Sequence, residues 1–436
     1  MTEQRISQEQ RTSLPGSIST PAPQQHAETP SAPTLVPFGP HSGGRVRLIS
    51  PGSRAAAALF DQGFAAGANA VNGLLAGFLL GPASYGRYVA VIGIALIALA
   101  VSRAFIGEVL LTHTARVYGA EHHTQARNAA TTAFGVGLIG MAVAGGLWLF
   151  GFDLLRDLLW LAPFLPSALL ADASRYAFLS RRRPQRSMVI TGVALLVQLA
   201  VVAGLVLTGN VWGGPLLAAW GIGASVGALV GLVMLRIDPL RGRPRQWISA
   251  TRHLSGWFVA SAALSQAYTW IVLYFVGGHL GAADLGGLRM LQMLVLMPVQ
   301  NFIWALTGMI VPGYSSFAEK GDRARIRRRT RGLVGGFAAV AVLLLALAPL
   351  GELVVEELLP AYRPYQGLIV PLALQAGLYL VQSPLNAALR GMQQARRAFL
   401  QYAAFAAAIL PASLTGAVLA GVRGAAWGMV LGAAVG

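Results

Sequence analysis

What most constrains this chain is a row of solidly apolar blocks, each about 20 residues long. A helix rises about 1.5 Å per residue, so one such block crosses about 30 Å of hydrocarbon. The blocks lack the polar alternation of an outer-membrane barrel strand, which excludes that architecture. The expected fold class is therefore all-α: a polytopic membrane protein. The composition agrees, with 55% hydrophobic residues, 11% charged residues and a mean hydropathy of +0.59. Soluble domains carry about 25% charged residues.

The apolar pattern predicts twelve spans. Six lie near 58–80, 88–112, 129–150, 158–179, 188–208 and 215–235, and six near 255–277, 288–311, 332–351, 367–389, 398–419 and 424–436, the last being short. Residues 1–53 are rich in Ser, Thr, Pro and Gln and read as a disordered tail without the apolar run of a signal peptide. Arg45, Arg47 and Arg54 place this tail in the cytoplasm.

The arginines test the topology. The net charge is +17. In a soluble chain it would point to nucleic acid; here no nucleic-acid partner is expected, because the charge is sorted by loop. The loops 113–127, 180–187, 236–253, 312–331 and 390–397 carry 21 Lys or Arg, against five (Arg87, Arg156, Arg289, Arg363 and Arg423) assigned to outer loops. That is the bias of cytoplasmic loops, and it also suits anionic lipid head groups. Trp148, Trp160, Trp212, Trp247 and Trp257 fall near span boundaries, as interfacial anchors do. The chain has no cysteine, which excludes disulfides and thiolate metal sites.

The two sets of spans echo one another. GPASYG at Gly81–Gly86 returns as GAADLG at Gly281–Gly286, and AAWG at Ala218–Gly221 returns at Ala425–Gly428. A basic loop follows span 4 (Ser180–Ser187) and span 10 (Arg390–Arg397). This predicts two six-helix halves, 54–240 and 250–436. An even number of spans makes them point the same way, about an axis along the membrane normal. No outer loop exceeds about 15 residues and no P-loop occurs, which argues against a membrane glycosyltransferase or polymerase and against ATP-driven transport by this chain alone.

Ionisable residues inside a membrane are costly and mark function or pairing. Five are expected there: Asp61, Arg103, Glu108, Asp172 and Arg175, all in the first half. On helix 1, Asp61, Gln62, Ala65, Asn69, Asn72 and Ala76 share an arc of about 100°, with Phe60, Phe64, Val71, Leu74 and Phe78 opposite, so the first face should line a cavity and the second should meet lipid. Helix 7 offers Ser261, Ser265 and Thr269 in the matching places, with Tyr268 beside them. Bland readings stand next to these. Asp172 and Arg175 are spaced to pair on one helix. Arg103 and Glu108 lie about 140° apart on a regular helix, so Arg103 should meet either Asp61 or a substrate phosphate. The alternative for Asp61 and Glu108 is solvation at the interface, and for Asn69 and Asn72 it is a hydrogen bond between helices. His122–His123 beside Glu121 reads as solvated loop, with no metal site expected. Pro298 and Pro411 should kink their helices.

Helix 1 with its DQ pair (Asp61, Gln62), its mid-helix Asn and the GPxxYG turn resembles bacterial lipid-linked oligosaccharide flippases of the multidrug/oligosaccharidyl-lipid/polysaccharide exporter superfamily. The resemblance covers 55–436. The long tail, the short last span and the uncharged helix 7 depart from that pattern. The resemblance implies export of an undecaprenyl-pyrophosphate-linked glycan from inner to outer leaflet, with no chemical step and no cofactor. It implies a bacterial cytoplasmic membrane, contact with membrane lipid, and a polysaccharide polymerase and glycosyltransferases as partners. Arg103, Arg175, Asn69, Asn72 and Gln62 would bind substrate, and Asp61, Glu108 and Asp172 would carry coupling or charge balance. The rivals are a cation-coupled multidrug exporter of the same superfamily, a membrane enzyme, and a scaffold for envelope assembly.

Overall fold

A computed structural model describes residues 51–113, 119–392 and 394–435 of the chain. All lie in one compact unit, Ile49–Gly436. The tail read as disordered lies outside the described residues, except Pro51–Ser53, which begin the first helix. The side chains of Gln62, Trp257, Ser261 and Ser265 also lie outside them.

The described residues are helical, with no strand among them. In order they form α1 (Pro51–Leu79), α2 (Pro82–Ser102), α3 (Glu108–His113), α4 (Gly119–Leu149), α5 (Leu165–Ser180), α6 (Pro184–Leu207) and α7 (Gly213–Leu235). There follow α8 (Pro244–His279), α9 (Ala282–Leu291), α10 (Met297–Glu319), α11 (Arg323–Ala346), α12 (Ala348–Leu358), α13 (Ile369–Gly391) and α14 (Ala395–Val435). Proline opens α2, α6 and α8, where its missing N–H costs nothing and its fixed φ suits a first turn. The loops between are short because each helix must return at once to bury its apolar face.

Nine described helices are long and apolar enough to cross a membrane, or ten if Asp153–Trp160 and Ala162–Ser180, bent by 48°, form one span. Length and composition alone therefore give fewer than the twelve expected. Two of the differences have local causes. The apolar described part of helix 1, Gly63–Leu79, is shorter than the criterion requires. The run Phe399–Val435 counts as one, yet Ala420 and Gly421 leave helical geometry within α14, Gly421 at φ +61°. A Cβ on Gly416 would strike the Gly424 carbonyl, and one on Gly428 the Ala412 carbonyl. Those pairings fold α14 back on itself as two antiparallel helices. The break lies at Gly421, where only glycine is at ease, and not at Pro411.

The echoed turns meet. A Cβ on Gly86 would overlap the Ala282 carbonyl oxygen, and one on Gly286 would overlap the Pro82 oxygen. Each residue thus touches the counterpart of the residue that touches it, and the helices cross backbone to backbone. Tyr362 secures this end by donating to the carbonyls of Gly77 (2.9 Å) and Leu80 (3.0 Å). From the crossing, α2 and α9 each run into one wide π turn, Arg103–Gly107 and Gln292–Leu296. Such turns gather at functional sites. Pro298 accounts for the second, since its ring displaces the carbonyl of the preceding turn.

Phe60, Val71 and Phe78 are exposed on α1 as expected for a lipid face, whereas Phe64 approaches Gly192 and Leu74 packs on the core. Trp148, Trp160 and Trp212 are exposed. Trp247 is not a boundary anchor: it is fully buried against a cluster that includes Ile106 and Phe178.

Candidate functional site

Four of the five charged residues expected in the spans form one chain of contacts: Arg103, Asp172, Arg175 and Asp61. The guanidinium of Arg103 grips Asp172 at both oxygens, Nε to Oδ2 at 2.9 Å and Nη2 to Oδ1 at 3.1 Å. Arg175, one turn beyond Asp172 on α5, donates to Asp172 Oδ1 (3.3 Å) and across to Asp61 Oδ2 on α1 (3.4 Å). Side-chain exposure is 0% for Asp61, 6% for Asp172, 10% for Arg175 and 35% for Arg103. Two cations and two anions cancel. The same-helix pairing of Asp172 with Arg175 is present, but Arg103 meets Asp172 and not Asp61. Asp61 is buried and paired, not solvated.

Glu108 is exposed at the end of the first π turn, and its N–H reaches the Arg103 carbonyl. That i to i+5 bond brings residue 108 back over residue 103. The separation expected of a regular helix does not apply here.

The ion chain borders a cavity of about 110 Å³ lined also by Asn69, Asn72 and Gln198. The side-chain Oδ1 of Asn72 accepts from Tyr88 Oη at 3.0 Å and Gln198 Nε2 at 2.6 Å, so it joins α1, α2 and α6. Of the readings open for Asn72, the bond between helices is the one formed. Asn69 is exposed at the cavity and Gln62 lies outside the described side chains.

A second cavity, about 480 Å³, is lined mainly by α8–α10, α13 and α14, with Arg103 at its first-half edge. Its polar wall holds six glutamines: Gln266, Gln292, Gln300, Gln375, Gln382 and Gln401. Thr269 and Tyr268 join it, as the helix 7 pattern predicted. Three arginines, Arg103, Arg289 and Arg390, line it, and none of its described lining residues is acidic. The loop assignment puts Arg289 outside the membrane; it lies instead within α9, three residues past the Gly286 crossing. It donates to Gln292 Oε1 (3.3 Å) and stands 5.9 Å over the Trp270 ring, with no carboxylate partner among the described residues.

A search for charges overlooks this wall because amides carry none. The signal present was position: Gln375, Tyr379, Gln382, Asn386 and Arg390 step by four, three, four and four along α13, one polar stripe on an otherwise apolar helix.

The histidine pair is not loop. His122 is buried, with Nε2 3.0 Å from Ser180 Oγ and Nδ1 accepting from Arg181 Nε at 3.0 Å, which ties α4 to the end of α5. Burial, with Arg183 and Arg186 nearby, lowers the pKa of Arg181. No group of three metal-binding side chains occurs among the described residues.

No family profile matches this sequence, and no curated protein matches it by sequence. Solved structures do match in fold. The chain is similar to the lipid II flippase MurJ in its inward closed conformation, with a TM-score of 0.69 at 10% identity, over 88% of this chain and 85% of that one. It is similar to an inward-facing multidrug resistance MATE transporter of the MOP superfamily, with a TM-score of 0.62 at 15% identity, over 87% and 94%. The Vibrio cholerae MATE transporter VcmN, as a point mutant, gives a TM-score of 0.54 at 17% identity, over 88% and 94%. The fold is thus one that a lipid flippase and drug exporters share.

Proposed function

We propose that this chain is a flippase of that superfamily, moving an undecaprenyl-pyrophosphate-linked oligosaccharide from the inner to the outer leaflet by alternating access. The observation that carries the reading is the lining of the larger cavity: three arginines, many amides and no acidic residue among those described. A cationic drug would find no counter-charge there, whereas a pyrophosphate bearing a sugar finds cations and hydrogen-bonding groups. We assign the anion to Arg289 and to Arg103, the latter by exchange with Asp172. Arg175, held between two carboxylates, acts as the tie that keeps Asp61 and Asp172 in place. Asp61, Asp172 and Glu108 carry charge balance as the cavity opens to alternate sides, and Asn69 and Gln62 approach substrate from α1.

The membrane arrangement belongs to the same proposal. We take the chain as a twelve-span protein of the bacterial cytoplasmic membrane with a cytoplasmic N-terminus. Its two halves, 54–240 and 250–436, are related about the Gly86–Gly286 crossing. The reciprocal contact there supports the pseudo-two-fold. The glycan's synthesis calls for glycosyltransferases on one side, and its later use for a polymerase on the other.

The test is leaflet exchange of a fluorescent polyprenyl-pyrophosphate glycan in liposomes. Exchange should require the protein. Arg289→Ala and Arg103→Ala should each slow it about tenfold or more, the effect of losing a charge-assisted hydrogen bond of about 1.5–3 kcal/mol. Export of cationic dyes without glycan exchange would overturn the reading in favour of the drug exporter.

A further inference from the structure

The flippase reading leaves the amide wall unused, since a pyrophosphate occupies arginines and not glutamine carbonyls. Burying an amide without a partner is costly. Yet the side-chain oxygens of Gln375, Asn386 and Gln401 are buried with no hydrogen-bond partner among the described residues. All three residues line the larger cavity, and Gln375 is itself 2% exposed. Turning an amide over would exchange the orphan carbonyl for an orphan N–H. A partner that both donates and accepts serves either orientation, as water and a sugar hydroxyl do. A phosphate or carboxylate oxygen only accepts.

The amides are also arranged, not scattered. From Gln375 to Arg390 the α13 stripe advances fifteen helical steps, about 22 Å. Aromatic faces accompany it: Tyr379 lies 6.1 Å from Phe405, and Tyr268 stands edge-on to Phe405 at 5.1 Å. Rings beside amides at one surface can stack against the C–H face of a pyranose while the amides take its hydroxyls. Arg289, beneath the crossing, donates to Gln292 and not to the α13 stripe, and Arg103 stands on the first-half edge of the cavity.

We propose that the α13 stripe, with Gln401 and the Tyr268–Phe405–Tyr379 aromatics, is a carbohydrate subsite that reads the hydroxyls of the lipid-linked sugar, separately from its phosphates. The proposal rests on the flippase reading and divides its one cavity into two tasks. On this view the amides and rings of the wall choose which glycan is carried, and Arg289 and Arg103 hold the part common to every such lipid.

The experiment compares two probes in the same liposomes: a polyprenyl pyrophosphate bearing a fluorescent oligosaccharide, and the bare polyprenyl pyrophosphate labelled on its tail. The quantity read is the ratio of their exchange rates, so that a general loss of protein does not enter. Gln375→Leu should lower the ratio at least tenfold, the scale on which a site built to hydrogen-bond its substrate discriminates. Asn386→Ala, which breaks no hydrogen bond to a described residue at Oδ1, should lower it in the same direction without disturbing folding. A ratio unchanged in both variants, while wild type carries the glycan probe, would remove the subsite and leave the flippase standing. A wild type that moves neither probe would overturn the flippase reading, and the subsite with it.

Discussion

The two cavities of this protein make opposite use of polar groups. Around the smaller one, every charge has an opposite charge and Asn72 has two partners. Around the larger one, Arg289 has no carboxylate and three amides have an unmet oxygen among the described residues. In a membrane interior the first arrangement binds helices together, because each group satisfied by protein is one that water need not reach. The second arrangement leaves Arg289 without such a partner. An unmet bond alone does not separate the two, because Asp61 Oδ1 and Arg175 Nε also lack a hydrogen-bond partner among the described residues; what separates them is that the charges of the first are paired with opposite charges and Arg289 is not.

The sharpest way to break this contrast is to cut the ion chain at its centre. Asp172→Ala would leave Arg103 and Arg175 facing each other across the vacated site. Removing one partner of a buried pair costs about 3–5 kcal/mol. Thermal unfolding in detergent should register that loss, with the Asp172→Ala/Arg103→Ala double variant recovering part of it. A double variant as unstable as the sum of the two single ones would mean that the pair is not coupled, and the structural reading of this cavity would fall.

A second test addresses the crossing of α2 and α9. Gly86→Ala and Gly286→Ala each drive a methyl into a carbonyl of the other helix. Overpacking of this kind costs about 1–3 kcal/mol. The reciprocal geometry makes the two losses equal within error, measured by the same unfolding. Clearly unequal losses would show that the crossing is not a two-fold contact in its energetics. One asymmetry is already visible: Gly281 sits at φ 110° where its counterpart Gly81 sits at −68°, ahead of Pro82. Gly281→Ala should therefore destabilise by about 1 kcal/mol, while Gly81→Ala should be close to neutral.

What the sequence made legible follows the same division. The apolar blocks announced helices, and four of the five charges expected in the spans form one network; the turn echo announced a duplication but not that the two turns touch. Periodicity and charge are local properties that survive in a string of letters. The partner of Arg103 was misassigned because Asp172 comes from α5, 69 residues further on, and nothing local says that α5 and not α1 faces Arg103; the placing of Glu108 relative to Arg103 failed because no residue in Arg103–Gly107 advertises the π turn. Arg289 was misplaced because the apolar run was started too late, beyond the first turns of α9. The glutamine wall was missed because its members come from five helical segments and carry no charge. Only the α13 stripe could have been found beforehand, by asking where polar residues recur at helical spacing inside an apolar segment.

The smallest expected effects separate the cavities most cleanly. Asn72→Ala and Gln198→Ala remove a hydrogen bond between helices, which in membranes is worth about 0.6 kcal/mol on average. Both should therefore destabilise slightly, and less than additively, because Gln198 donates to Asn72 itself. Gln401→Leu should move stability the other way. It removes a buried oxygen without a described partner, and replacing an unsatisfied polar group by an apolar one of similar shape is neutral or stabilising. A change of sign between two such modest substitutions, read from paired unfolding curves, is harder to produce by accident than one large loss. It would mean that the larger cavity keeps its amides at a cost in stability, as sites held ready for a ligand do. A loss in Gln401→Leu equal to that in Gln198→Ala would make both walls structural and take the carbohydrate subsite away.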